Sequence, residues 1–113
     1  MGARAQVRIK DTGVYLYTHW GAESIFQDVH RALKSKAGQA RLDDPEYLAR
    51  IIFDKMQGND PSPETGFGIG THQHGDIDNL VIVDCAERMV TFEDHVNHTR
   101  VTRSFRQLKD AIE

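Results

Sequence analysis

His72-Gln73-His74-Gly75-Asp76 sets two imidazoles and a carboxylate at alternate positions. On an extended segment alternate residues share a face. His72, His74 and Asp76 could therefore hold one divalent ion, whose bound water would serve as the nucleophile of a metal-dependent hydrolase. The competing reading is a polar hairpin tip with solvated histidines. A second group is aromatic: Tyr15, Tyr17, His19 and Trp20 fall within six residues. A Tyr-x-Tyr-x-His strand face either stacks a planar ligand or packs under helices. A third is Gly66-x-Gly68-x-Gly70, where a backbone without Cβ atoms could approach an anion. A dinucleotide fingerprint needs a strand before its glycines and a helix after them. Here a loop precedes and a strand follows, so a strand whose glycines admit a backbone or an aromatic ring at close range is the alternative. A fourth group is Arg100, Arg103, Arg106 and Lys109, a basic series able to hold phosphate oxygens or to remain a solvated tail.

The elements that must position these groups follow from periodicity. Gln6-Val7-Arg8-Ile9-Lys10 alternates polar and apolar residues, as a half-buried strand does. Asp11-Thr12-Gly13 is turn chemistry, and Val14 to Trp20 is rich in β-branched and aromatic residues, which predicts an N-terminal hairpin. From Glu23 to about Lys36, Ile25, Phe26, Val29 and Leu33 make one apolar stripe, with Gly38 as the stop. Asp44-Pro45-Glu46 opens a second helix that buries Leu48, Ile51, Ile52 and Met56 and ends at Gly58. Residues 58–70 form a Pro/Gly-rich loop running into a glycine-studded strand, and Thr71 to Asn79 reads as a hairpin tip. Leu80-Val81-Ile82-Val83 is a continuous apolar run, hence a central strand covered on both faces. Met89–Glu93 returns the chain, Asn97–Thr102 adds a strand, and Ser104 caps a short last helix with Phe105, Leu108 and Ile112 inward. The predicted architecture is one α+β domain over 1–113. It comprises an antiparallel sheet of about five or six strands, two main helices on one face and a short C-terminal helix.

Composition bounds the function. With 39% apolar and 27% charged residues, the 113-residue chain has the material for a single globular core. No apolar run approaches the ~18 residues of a membrane span, and Met1 to Gln6 contains no apolar signal core. A cytoplasmic location without membrane contact is therefore expected. The lone Cys85 excludes an internal disulfide and reads as a structural thiol. A net charge of -3 argues against general nucleic-acid binding. The charge is unevenly spread: residues 60–99 hold eight acids against Arg88 alone, while residues 100–113 are net positive. Such bipolarity suits a cation on one side and an anionic ligand or partner on the other, or else an acidic protein–protein interaction module whose 60–99 surface meets a basic partner.

Three stretches carry a resemblance. Val14-Tyr15-Leu16-Tyr17-Thr18-His19-Trp20-Gly21, Asp44-Pro45-x-Tyr47-Leu48-Ala49-Arg50-Ile51-Ile52-Phe53 and Glu64-Thr65-Gly66-Phe67-Gly68-Ile69 resemble a family of small uncharacterised proteins. Its members are encoded by phages, prophages and assorted prokaryotic genomes. The resemblance implies a prokaryotic cytosol and phage–host functions such as host-defence evasion. It carries no activity and no site residue.

These features together predict a non-catalytic, homo-oligomeric binding protein. It would sequester an anionic, nucleotide-like small molecule, or mask a host protein, and it would need no cofactor. Tyr15, Tyr17, His19, Trp20, Gly66, Gly68, Arg103 and Arg106 form its expected ligand site, since stacking and charge-assisted hydrogen bonds are how proteins hold nucleotides. The hydrolase built on His72, His74 and Asp76 and the acidic interaction module are the alternatives.

Overall fold

A computed structural model describes residues 4–19, 24–58 and 66–110, the last three by backbone alone. The N-terminal hairpin forms as its alternation dictates, with β1 (Ala5–Ile9) and β2 (Val14–Thr18) paired antiparallel. Gly13 supplies the positive φ of +74° that closes the turn. Helix α1 (Ile25–Lys34) ends at Ser35, not at Gly38. A further short helix, α2 (Lys36–Ala40), starts at once, its Gly38 N–H donating to the Ser35 hydroxyl at 3.0 Å. Gly38 is buried inside α2, where a Cβ would fall against the Ala32 carbonyl. Close approach of two helices, rather than helix termination, explains that glycine. Helix α3 (Pro45–Gln57) follows its start and stop signals, with Pro45 in the first turn and Gly58 at φ +60° after the last.

The remaining strands are β3 (Phe67–Gly70), β4 (Asn79–Asp84), β5 (Met89–Asp94) and β6 (Thr99–Ser104), and α4 (Phe105–Asp110) follows. Ser104 and Gln107 build a reciprocal cap: the Gln107 N–H donates to the Ser104 hydroxyl, and the Gln107 side-chain oxygen accepts from the Ser104 N–H. Ile112 lies outside the described residues.

The strand order is β3-β2-β1-β4-β5-β6, a mixed sheet in an α+β fold. All pairs are antiparallel except β1–β4, which is parallel. This corrects the expected hairpin between residues 66 and 84. β3 lies at the sheet edge beside β2, and β4 lies two strands away beside β1. The apolar run of β4 accounts for this, because it belongs in mid-sheet and finds its place against the equally buried β1. Parallel neighbours need a long crossover, and the helices lie within it.

Ala5, Val7, Ile9, Leu16, Val81, Val83 and Val90 point to one side of the sheet and pack with Ile25, Val29, Leu33, Leu48 and Ile52 of the helices. Phe26 meets Phe92 edge-on, and Phe53 meets Phe67, at ring-centroid distances of 5.2 and 6.3 Å. The described helices all lie on this side. The opposite side, with Arg8, Tyr15, Tyr17 and Ile82, has no described helix over it, yet Leu80 on that side is buried, so β4 is covered on both faces at its Leu80 end and open on one at Ile82. No described helix is long and apolar enough to cross a membrane.

Candidate functional site

Register assigns each side chain of the uncovered face. Tyr15 stands between Arg8 of β1 and Gly70 of β3, and Tyr17 stands between Gln6 and Gly68. Both tyrosines are half-buried. They lie on the face turned away from the helices, so they do not pack beneath them. Among the described residues nothing lies over β3 at its glycines: a Cβ at Gly68 or Gly70 would meet nothing within 4 Å. The expectation of a close backbone or ring against these glycines is thereby corrected. Gly66 pairs through its carbonyl, which accepts from the His19 N–H at 2.7 Å.

Residues 71–78 cross this face and bound it at the Tyr17 end. The buried Gln6 holds them with both ends of its amide. Its nitrogen donates to the His72 carbonyl and its oxygen accepts from the His74 N–H, each at 2.9 Å. The His74 ring lies 5.0 Å from the Tyr17 ring. Arg4 is ion-paired with Asp76 and also points its Nε at His19 Nδ1, 3.4 Å away. The Tyr17 hydroxyl lies 3.3 Å from the same nitrogen. A guanidinium only donates, so Nδ1 is the acceptor in the Arg4 contact. Arg4, Tyr17, His19, His74 and Asp76 thus form one polar cluster beside the tyrosine face.

The proposed metal set does not come together. The chain turns at Gly75 and Asp76 instead of staying extended, which removes the shared face that alternate residues would have had. His72 turns to Thr71, 3.2 Å from its hydroxyl, while His74 faces Tyr17 and Asp76 is taken by Arg4. Among the described residues no three His, Cys, Asp or Glu side chains gather as metal ligands would. Nor do the C-terminal arginines join the tyrosines. Four strand steps separate β2 from β6, about 19 Å at ~4.8 Å per step. Arg103 lies opposite Val90, on the helix-bearing side, and Arg106 is exposed on α4. The expected single site of aromatic residues and C-terminal arginines is corrected to a site without Arg103 and Arg106. Trp20 lies outside the described residues.

Arg8 is the residue that sequence reasoning missed. It is half-exposed and adjoins Tyr15 and Ile82 across the sheet, and its side chain has no hydrogen bond or ion pair among the described residues. The Tyr15 hydroxyl likewise has no partner among them. The signal was present: alternation in β1 puts Arg8 on the polar side, and the short turn at Gly13 fixes it against Tyr15. The neighbouring bases are engaged, Lys10 with Asp84 at 3.1 Å and Arg4 with Asp76.

The acidic segment is also partly neutralised. Burial opposes the charge on Asp84, yet the Glu87 N–H and the Lys10 ammonium outweigh it and hold the carboxyl below its ordinary value. Glu93 lies between His95 and Arg100, and Asp94 accepts from the Val96 and Asn97 N–H groups at a turn. Burial, followed by the nearby Asp11 carboxylate, pushes the Cys85 thiol up to about 11, which makes it a poor nucleophile at neutral pH.

Comparison with protein-family models, curated proteins and solved structures finds no match for the chain.

Proposed function

We propose that this is a non-catalytic binding protein whose uncovered sheet face holds a planar, anionic, nucleotide-like small molecule. The observation that carries the reading is the Arg8–Tyr15 pair: a guanidinium and a phenol ring side by side on an open face, with no internal polar partner for either among the described residues. A guanidinium at such a position offers paired N–H donors to phosphate or carboxylate oxygens. The Tyr15 ring offers a stacking surface, and the bare Gly68 and Gly70 leave room for a flat group beside it. Tyr17, His74 and the Gln6-held segment supply a wall on one side. His19 stands at that end beside Arg4 and Tyr17.

The resemblance of the Tyr-x-Tyr-Thr-His-Trp stretch to small phage and prokaryotic proteins supports a prokaryotic cytoplasm as the setting. Sequestering a nucleotide-like signal there would block a host process without any chemical step.

Titration calorimetry with a panel of nucleoside mono-, di- and cyclic phosphates tests the reading. At least one should bind, and Arg8→Ala should weaken it tenfold or more, about 1.4 kcal/mol. Tyr15→Ala should weaken it comparably, and Arg106→Ala should leave it unchanged. Failure of the whole panel, or binding indifferent to Arg8→Ala, rejects the site.

A further inference from the structure

Among the described residues, the helix-bearing side of the sheet is incompletely covered at its β3 edge. A groove of about 630 Å³ runs there between α3 and the β2–β3 pair. Its walls are apolar, made by Val14, Leu16, Ala49, Phe53 and Ile69. Ile69 is 67% exposed, the highest value among the exposed large apolar residues described. An isoleucine set into a groove wall and left in water is an attachment point rather than a core residue.

The rim of the groove is polar and belongs to α3. Glu46, Arg50, Phe53 and Gln57 recur at i, i+4, i+7 and i+11, one stripe of the helix, with Asp54 beside it. Within the chain this charge is poorly used. Arg50 and Asp54 are 3.8 Å apart on side chains 81% and 58% exposed, and Glu46 has no partner among the described residues. Read from the other end, the stripe complements itself. When two such helices meet antiparallel about a twofold axis, Arg50 of each faces Asp54 of the other. Glu46 of each then faces Gln57 of the other, with Phe53 and Ile69 near the axis. An isologous contact requires that self-complementarity, in which residue i meets j and j meets i.

The two sheet edges support the same occupant. β6 carries Arg100 and Arg103, charges that discourage association along an edge. β3, reading Phe-Gly-Ile-Gly, carries none. We infer that the β3–α3 groove is a homodimer surface whose occupant is the same groove of a second copy of this chain, with Ile69 as anchor and reciprocal Arg50–Asp54 pairs setting the register. The Arg8–Tyr15 face lies on the opposite side of the sheet, so both copies keep it open.

Sedimentation equilibrium on the full chain, taken into the high micromolar range, tests this. The wild-type protein should be a concentration-dependent dimer, and Ile69→Lys should raise the dissociation constant at least tenfold while leaving the circular dichroism spectrum unchanged. Arg50→Asp and Asp54→Arg should each be monomeric alone, because each sets like charges across the axis. Mixed in equal amounts, they should form a heterodimer, an outcome that altered helix stability within one chain cannot produce. A wild-type monomer throughout, a dimer indifferent to Ile69→Lys, or a mixture that stays monomeric would overturn the inference. Nucleotide binding by Ile69→Lys should be unaffected, which separates this surface from the open face.

Discussion

Arg8 and Ile9 are consecutive in β1, yet they belong to regions held together by different physics. Ile9 is fully buried with Val7 and Ala5 against helices contributed by distant parts of the chain. Its position depends on packing, which is nondirectional and tolerates many arrangements of similar volume. Arg8 looks out on the other side, where organisation comes from a few directional bonds. Gln6 grips the 71–78 segment by two backbone groups, Arg4 grips it again at Asp76, and His74 rests on Tyr17. One strand therefore divides its labour by parity: one set of alternate residues holds the domain together, and the other sets out the face proposed to bind a ligand. Damage to the first set should appear as lost stability, and damage to the second as lost binding.

Ile9→Ala applies the sharpest pressure to that division. Removing a fully buried isoleucine takes away transfer energy and leaves a cavity, a loss of ~2–5 kcal/mol. Chemical denaturation should show the midpoint falling while the slope is kept. Nucleotide affinity, measured well below the new midpoint, should hardly change. If Ile9→Ala instead abolished binding in a protein that was still folded, the two sides of the strand would not be independent.

Much of this division is legible before any coordinates. The Gln6–Lys10 alternation and the turn at Gly13 set the hairpin and therefore the Arg8–Tyr15 pairing. The Asp44-Pro45 start and the Gly58 stop delimit α3, since local backbone chemistry decides them. The parallel seating of β4 beside β1 is not local. It depends on how a whole sheet closes around its core, and no short window of sequence records that. The fate of the histidines is hidden for the same reason. His-x-His-x-Asp shares a face only while extended, and it is Gln6, 66 positions before His72, that folds the segment otherwise. The C-terminal arginines show the converse. Their spacing looks like one surface, but the strand-to-helix junction at Ser104 sends Arg103 and Arg106 onto different elements.

Gln6→Ala lies between the extremes. Gln6 is only 1% exposed, although it sits on the side without helices. Its loss leaves the His72 carbonyl and the His74 N–H without their protein partner, and losing a satisfied buried amide costs ~1–3 kcal/mol. Much of that is recovered if the 71–78 segment opens to water. Global stability should then fall by less than for Ile9→Ala. Hydrogen exchange at the His74 amide should accelerate well beyond that of the β4 and β5 core, because release is local. Uniform acceleration across the sheet would show instead that this side carries the fold as fully as the helix side does.

The smallest effect belongs to Gly68. A glycine in a strand weakens it by entropy, and alanine placed without strain recovers roughly 0.4–1 kcal/mol. Gly68 has room for a Cβ with nothing inside 4 Å, whereas at Gly38 a Cβ would strike the Ala32 carbonyl. Gly68→Ala should therefore leave the melting temperature level or slightly raised, where Gly38→Ala lowers it. What Gly68 contributes in place of stability is the bare surface beside Tyr15 and Tyr17 that the open-face site requires. Gly68→Ala should accordingly weaken nucleotide binding while preserving stability, and isothermal titration beside a thermal melt reads both. Unchanged affinity would return Gly68 to the scaffold and confine the site to Arg8 and Tyr15.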